Sequence, residues 1–169
     1  MTESGIINAS GDQSGGTVII GSSRDQSIDA INAEAVYIGE NTQITANAGI
    51  AGSGGEIVIG SENTTRYFGN IETKGGSLSG NGGSVDISAK EQLVFNGTVN
   101  SMSAVGEVGE LMLETHSLAV IADEASSVVD GGMDFSEASE SNLSTSTVKR
   151  LLDTSAVKFS ATNNISFDS

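Results

Sequence analysis

The feature that most constrains this 169-residue chain is an internal repeat. Ile44, Ile71 and Val99 open successive copies 27 and 28 residues apart, and the pairs Gly54-Gly55 and Gly82-Gly83 recur at a spacing of 28. A longer, earlier copy holds Ile7, Gly15-Gly16-Thr17-Val18-Ile19-Ile20-Gly21 and Val36-Tyr37-Ile38-Gly39. Such a period belongs to stacked-repeat architectures. Each copy carries three short apolar alternations separated by Gly-rich corners, and period-two alternation means strands whose odd and even side chains face opposite ways. Three strands and their corners describe one coil of a parallel β-helix. Aligning the copies puts Val18, Ile57, Val85 and Leu111 in one column and Ile20, Ile59, Ile87 and Leu113 in a second. Between them fall Ile19, Val58, Asp86 and Met112, which are not uniformly apolar. The two apolar columns are therefore expected to point inward as a structural ladder, and the middle row outward. Tyr67 and Phe95 align in a column of the third strand.

One coil cannot bury its inward row alone. Stacking coils at about 4.8 Å makes continuous aliphatic ladders and pairs the backbone N–H and C=O groups along the axis. Small side chains suffice for so thin a core, in keeping with 4 % aromatic residues and no Trp. The glycine pairs suit corners that need positive φ or close backbone approach.

The repeat predicts coils over residues 1–121, with an insertion near 22–34. Residues 122–147 are polar and acidic and read as an irregular excursion. In the stretch 148–169, Val148, Leu151 and Leu152 stand at i, i+3 and i+4 behind Ser and Thr residues able to cap, which predicts a short helix. Alternation then returns over 156–160 and 164–167 as strands of a final coil, with Ile165 and Phe167 inward.

Charge narrows the partners. Twenty-two acids against seven Lys and Arg give a formal charge of −15, which repels phosphate backbones and anionic membrane surfaces. No nucleic acid and no membrane insertion are expected, since no apolar run approaches the roughly 18 residues of a membrane helix. The absence of Cys removes disulfides, thiolate zinc sites and Cys nucleophiles. The start, Met1-Thr2-Glu3-Ser4-Gly5, has neither the basic nor the apolar region of a signal peptide. An extracellular role would place the export signal elsewhere.

Several motifs occur in an order that resembles filamentous haemagglutinin-type adhesins, the large exported proteins of bacterial two-partner secretion. They are Gly15 to Gly21, Thr64-Thr65-Arg66-Tyr67-Phe68-Gly69-Asn70-Ile71, and Gly80-Asn81-Gly82-Gly83-Ser84-Val85-Asp86-Ile87-Ser88 followed by Leu93 to Val99. Gly109-Glu110-Leu111-Met112-Leu113-Glu114-Thr115 resembles the family's Gly-Thr-Leu-Leu-Leu-Asp-Pro motif, with Glu114-Thr115 in place of Asp-Pro. The tail from Val148 to Phe167, with Ala161-Thr162-Asn163-Asn164-Ile165, resembles the segment that follows it. The resemblance implies an all-β chain, a right-handed parallel β-helix, secretion or display on a bacterial cell surface, and attachment to a host or neighbouring-cell surface or to matrix glycans. The family's secretion domain carries Asn-Pro motifs, and this chain has no Pro, so these residues read as stalk.

Candidate chemistry is sparse, and no enzyme or cofactor is expected. His116, the single histidine, reads either as a base near Ser117 or Thr115 or as a corner residue; no nucleophile motif surrounds it. Glu91, Glu107, Glu110, Glu114, Asp123, Glu124, Asp130, Asp134, Glu137 and Glu140 form a stretch free of Lys and Arg. Asp130-Gly-Gly-Met-Asp134, the nearest approach to a cation loop, fits no calcium spacing. A solvated acidic face is the expectation. A carbohydrate-active β-helix enzyme would group acids on the outward row, where only Asp86 stands. Ile19, Val58 and Met112 in that row mark a possible contact strip, unless the 22–34 or 122–147 segment covers them. Asn8, Asn63, Asn96, Asn142 and Asn164 begin Asn-x-Ser/Thr triplets, which a composition this rich in Ser, Thr and Asn produces by chance. A rod-forming adhesive segment is the leading function, and head-to-tail self-association through open strand edges the alternative.

Overall fold

The computed structural model describes residues 4–21, 32–123, 135 and 141–167. Its period-two segments become strands in groups of three. The first group is β1 (Ile6–Asn8), β2 (Thr17–Ile20) and β3 (Ala35–Ile38). The second is β4 (Gln43–Thr45), β5 (Glu56–Ser61) and β6 (Thr64–Tyr67), and the third β7 (Asn70–Glu72), β8 (Ser84–Ala89) and β9 (Gln92–Phe95). Then follow β10 (Thr98–Asn100), the long β11 (Glu110–Ile121), β12 (Ser141–Ser144), the helix α1 (Thr145–Leu152) and β13 (Ala156–Phe167). The described residues are mostly β with one helix, and their strands form parallel sheets. The first nine strands each pair with the strand of the same place in the neighbouring group. One sheet runs β1-β4-β7-β10, a second begins β2-β5-β8-β11, and a third runs β3-β6-β9.

Register fixes the apolar columns. Val18 partners Ile57, Ile57 partners Val85, and Val85 partners Leu111; Ile20, Ile59, Ile87 and Leu113 are partners in the same way. Strand β13 extends both rows with Val157 and Phe159. Ile57, Ile59, Ile87, Leu111 and Leu113 have no exposed surface, while Ile20, on an outermost strand, is half-buried. In the third sheet Ile38, Tyr67 and Phe95 stand in register, and the rings of Tyr67 and Phe95 stack 5.4 Å apart. Burying each Val, Leu or Ile contributes roughly 1.5–3 kcal/mol, and the buried members of all three sheets form one cluster.

The glycine corners owe their identity to close approach. A Cβ on Gly54 would lie 2.0 Å from the Thr73 carbonyl oxygen, and one on Gly82 1.7 Å from that of Ser101. Positive φ occurs instead at Gly21, Gly52 and Gly80, outside the pairs.

The last third departs from the repeat. β11 continues straight through the point where β5 and β8 give way to a corner. Its first half pairs with β8, but its second half does not follow β9. Instead β12 packs against β9 and pairs with the second half of β11, Leu118 to Ser141 and Ile121 to Ser144. A later piece of chain is thus inserted between two earlier ones. The Ser141 hydroxyl fastens it: its Oγ accepts from the Leu93 N–H at 2.9 Å and lies 3.1 Å from Thr115 Oγ1. Residues 141–147, expected to be irregular, are therefore strand and helix start. Most of 122–140, and 22–31 of the expected insertion, lie outside the described residues.

Ser144 caps α1, accepting the Thr147 N–H at 3.1 Å. Leu151 is buried and Val148 packs on the core, but Leu152 is 58 % exposed. After the helix, the Thr154 carbonyl receives the Ser101 N–H, which continues the first sheet past β10. β13 then pairs along β11, with a register shift opposite His116. Ile165 and Phe167 share the sides of Leu118 and Val120, their partners, yet are 37 % and 70 % exposed. The inward expectation for them fails because β13 is an edge strand with no described neighbour on its far side.

Candidate contact surface

The middle row of the second sheet does not make an exposed strip. Ile19, Val58, Asp86, Met112 and Lys158 are successive partners. Ile19 is 52 % exposed, but Val58 is 8 % exposed and Met112 half-buried. Ile19 lies on the outermost strand, whereas Val58 is flanked on both sides by Ile19 and Asp86. The contact strip expected of Ile19, Val58 and Met112 is thereby corrected to a single exposed side chain at one edge.

Exposed apolar side chains gather elsewhere, on the loops from the first sheet to the second. Ile50, Leu78, Met102, Val105 and Val108 are all exposed there, Leu78 most of all. The loops stack through their backbones: the Leu78 N–H donates to the Ile50 carbonyl at 2.8 Å and the Gly75 N–H to the Met102 carbonyl at 3.0 Å. These loops therefore carry several exposed apolar side chains. These residues follow no alternation, so periodicity passes over them.

His116 is exposed at the register shift, with Nδ1 3.1 Å from Thr162 Oγ1. Thr115 is buried and donates to the Glu91 carbonyl at 3.3 Å. The geometry therefore separates the histidine from that hydroxyl. Among the described residues no three His, Asp or Glu side chains are grouped to hold a metal ion. Glu124, Asp130, Asp134, Glu137 and Glu140 lie outside the described residues. Asp123 serves the start of α1, where its carboxylate accepts the Ser146 N–H at 2.8 Å and the Thr145 hydroxyl at 3.1 Å. The backbone bond from Ser146 holds it below the usual carboxylate range. A small cavity of about 310 Å³ beside it is lined by Phe95, Asn96, Arg150 and the cap residues.

A larger cleft, about 650 Å³, lies along the outer face of the β1-β4-β7-β10 sheet and ends against α1. Two polar rows cross it. Gln43, Asn70 and Thr98 are successive partners, as are Thr45, Glu72 and Asn100. The strands alternate here, with Ile44, Ile71 and Val99 turned into the core. Asn70 is clamped: its Oδ1 accepts from Thr98 Oγ1 at 2.6 Å and its Nδ2 donates to the Glu40 carbonyl at 3.3 Å. Glu72 is held by Lys74 Nζ at 2.7 Å and Asn47 Nδ2 at 3.1 Å, and the lysine keeps its carboxyl below the usual range. Arg150 closes the end, donating from Nη2 to the Gly97 carbonyl at 3.0 Å. Asn100 accepts the Met102 N–H on Oδ1, which leaves its amide nitrogen for other partners. Sequence reading missed this cleft, because outward polar residues in alternation look the same whether a face is flat or hollow.

Among the described residues no helix is long and apolar enough to cross a membrane. Compared with known proteins, the chain matches no family model and no curated protein.

Proposed function

We propose that this chain is a rod-forming, adhesive segment of a secreted or cell-surface bacterial filament of the haemagglutinin type. In this reading the three sheets are the faces of a right-handed parallel β-helix. The carrying observation is that each of the first nine strands pairs in parallel with its counterpart one repeat away, in all three sheets. Parallel strands of one sheet need crossovers, and such crossovers are right-handed in nearly all cases. A stack of this kind extends without limit, keeps a uniform cross-section, and displays its corner loops at regular intervals. The exposed side chains of Ile50, Leu78 and Val105 on these corner loops support attachment, because exposed apolar side chains favour contact with a partner. Attachment is tested with beads coated with the chain and incubated on cultured epithelial cells. Binding above albumin-coated beads, reduced by Leu78→Ser with Val105→Ser, is the expected result; wild-type beads that bind no better than albumin overturn the reading.

A second reading, end-to-end self-association, is favoured by edge strands that have no partner on one side among the described residues. Ile6 is 78 % exposed on β1 and Phe167 is 70 % exposed on β13, and unpaired strand edges template further pairing. Sedimentation velocity decides it: a coefficient rising with concentration supports the reading, and a constant monomer value sinks it.

A further inference from the structure

We infer that β2 of one copy docks in parallel on β13 of a second copy of this chain, an inference that rests on the self-association reading and fixes the strands and register through which copies join. β2 and β13 are the described edges of one sheet, which steps from β2 through β5, β8 and β11 to β13. One backbone bond recurs at each step. The Glu56 N–H donates to the Gly16 carbonyl, the Ser84 N–H to Gly55, the Glu110 N–H to Gly83 and the Ala156 N–H to Gly109, at 2.8 to 3.1 Å. One step further, the Thr17 N–H of an incoming copy meets the Ser155 carbonyl, which receives no backbone N–H among the described residues. Val18 then stands over Val157 and Ile20 over Phe159, so both apolar columns run on into the second copy.

Gly16 supplies an independent observation. A Cβ on Gly55, Gly83 or Gly109 would lie 2.0 to 2.1 Å from the carbonyl oxygen of the glycine one repeat earlier, Gly16, Gly55 or Gly83. Stacking therefore requires glycine at those three positions. Gly16 occupies the same place in its repeat, yet the nearest described atom to a Cβ there is the Ala9 oxygen of its own repeat, at 3.0 Å. The residue is shaped for a carbonyl stacked against it, and in the docked pair that carbonyl is Ser155 of the other copy. Joining β2 to β2, or β13 to β13, about a two-fold axis would set the strands antiparallel, whereas every described pairing is parallel. The contact is therefore heterologous, and it repeats into a filament. In the outward row Lys158 comes to lie beside Ile19, the 52 % exposed end of that row, and its aliphatic stem covers the isoleucine. The charge of −15 on each copy opposes the contact, so salt strengthens it.

The test uses the absence of native Cys. Ile19→Cys and Lys158→Cys are made in separate full chains, both at exposed positions. In one copy the two sites are four strand steps apart, roughly 19 Å; in the docked pair they are direct partners about 4.8 Å apart, within disulfide reach. Mild oxidation in about 0.5 M salt, which screens the repulsion, should give covalent dimers when the two variants are mixed and none from either alone. Gly16→Ala is the second arm. Its methyl has room within one copy but not against a stacked carbonyl, so sedimentation should show association at least about tenfold weaker with an unchanged urea midpoint. Association without the mixed disulfide, dimers from a single variant, or Gly16→Ala associating as tightly as the parent chain overturns this register and keeps self-association. A monomer at every concentration and salt overturns both.

Discussion

Gly82 and Tyr67 show how close packing constrains single positions in opposite ways. A methyl group at Gly82 would stand 1.7 Å from the Ser101 carbonyl oxygen and 2.4 Å from the Gly109 nitrogen, backbone atoms that no side-chain rotation can move aside. Gly82→Ala must push two neighbouring repeats apart, so urea unfolding should register a loss of at least ~2 kcal/mol. Gly5→Ala, whose new methyl meets nothing closer than 3.7 Å, should stay within about 0.5 kcal/mol; equal effects at the two glycines contradict the close-approach argument. Tyr67 carries the opposite problem. Its ring is wholly buried against Phe95, yet its hydroxyl has no hydrogen-bond partner among the described residues. Burial alone pushes that phenol far above the ordinary tyrosine range. An unsatisfied buried hydroxyl costs about 1–3 kcal/mol. Tyr67→Phe keeps the stacked ring and removes the hydroxyl, so the variant should unfold at the same or higher urea concentration. A clear loss of stability would mean that the hydroxyl is bonded after all.

At the scale of elements, the insertion of β12 between β9 and the second half of β11 decides how the repeat ends. Besides its ladder with β11 and the buried Leu143, it is tied to β9 through one side chain. Ser141→Ala removes the acceptor of the Leu93 N–H and the partner of the Thr115 hydroxyl, two buried groups. The variant should lose about 1–3 kcal/mol, and amide exchange at Leu93 should quicken beyond the global change. Unaltered exchange at Leu93 would show that the strand is not held there. This element also marks where the sequence stops being informative. Strands β4 to β10 were legible because a spacing of 27–28 residues and alternating Val, Ile and Leu report local geometry directly, and the helix because its Ser and Thr caps precede Val148 and Leu151. The placement of β12 depends on contacts spanning 48 residues, from Leu93 to Ser141, and Ser-Asn-Leu-Ser carries one apolar residue, too few for a period. Burial of Val58 and exposure of Phe167 were equally hidden. Alternation gives the side of a strand that a residue occupies, but not whether another strand flanks it.

For the whole molecule, that distinction between flanked and unflanked strands sets the distribution of stability. Each group of strands touches chiefly its neighbours, so protection should follow position in the stack rather than hydrophobicity. β5 and β8 have partners on both sides, and their inward residues are fully or almost fully buried. Among the described residues β1 pairs on one side only, and Ile6 and Ile7 are 78 % and 38 % exposed despite being as apolar as Ile57 and Ile87. Opening β1 therefore uncovers little new apolar surface, while opening β5 or β8 requires the stack to part on both faces. Native-state hydrogen exchange should show amides of β5, β8 and β9 exchanging only through global unfolding. Those of β1, and of β13 over Asn164–Phe167, should exchange by local opening, at least about a hundredfold faster. Uniform protection along the chain would mean that the groups unfold as one unit, and that the edges are covered in solution. In that event a rise in edge protection with protein concentration would identify a second copy of the chain as the cover, because only association depends on concentration.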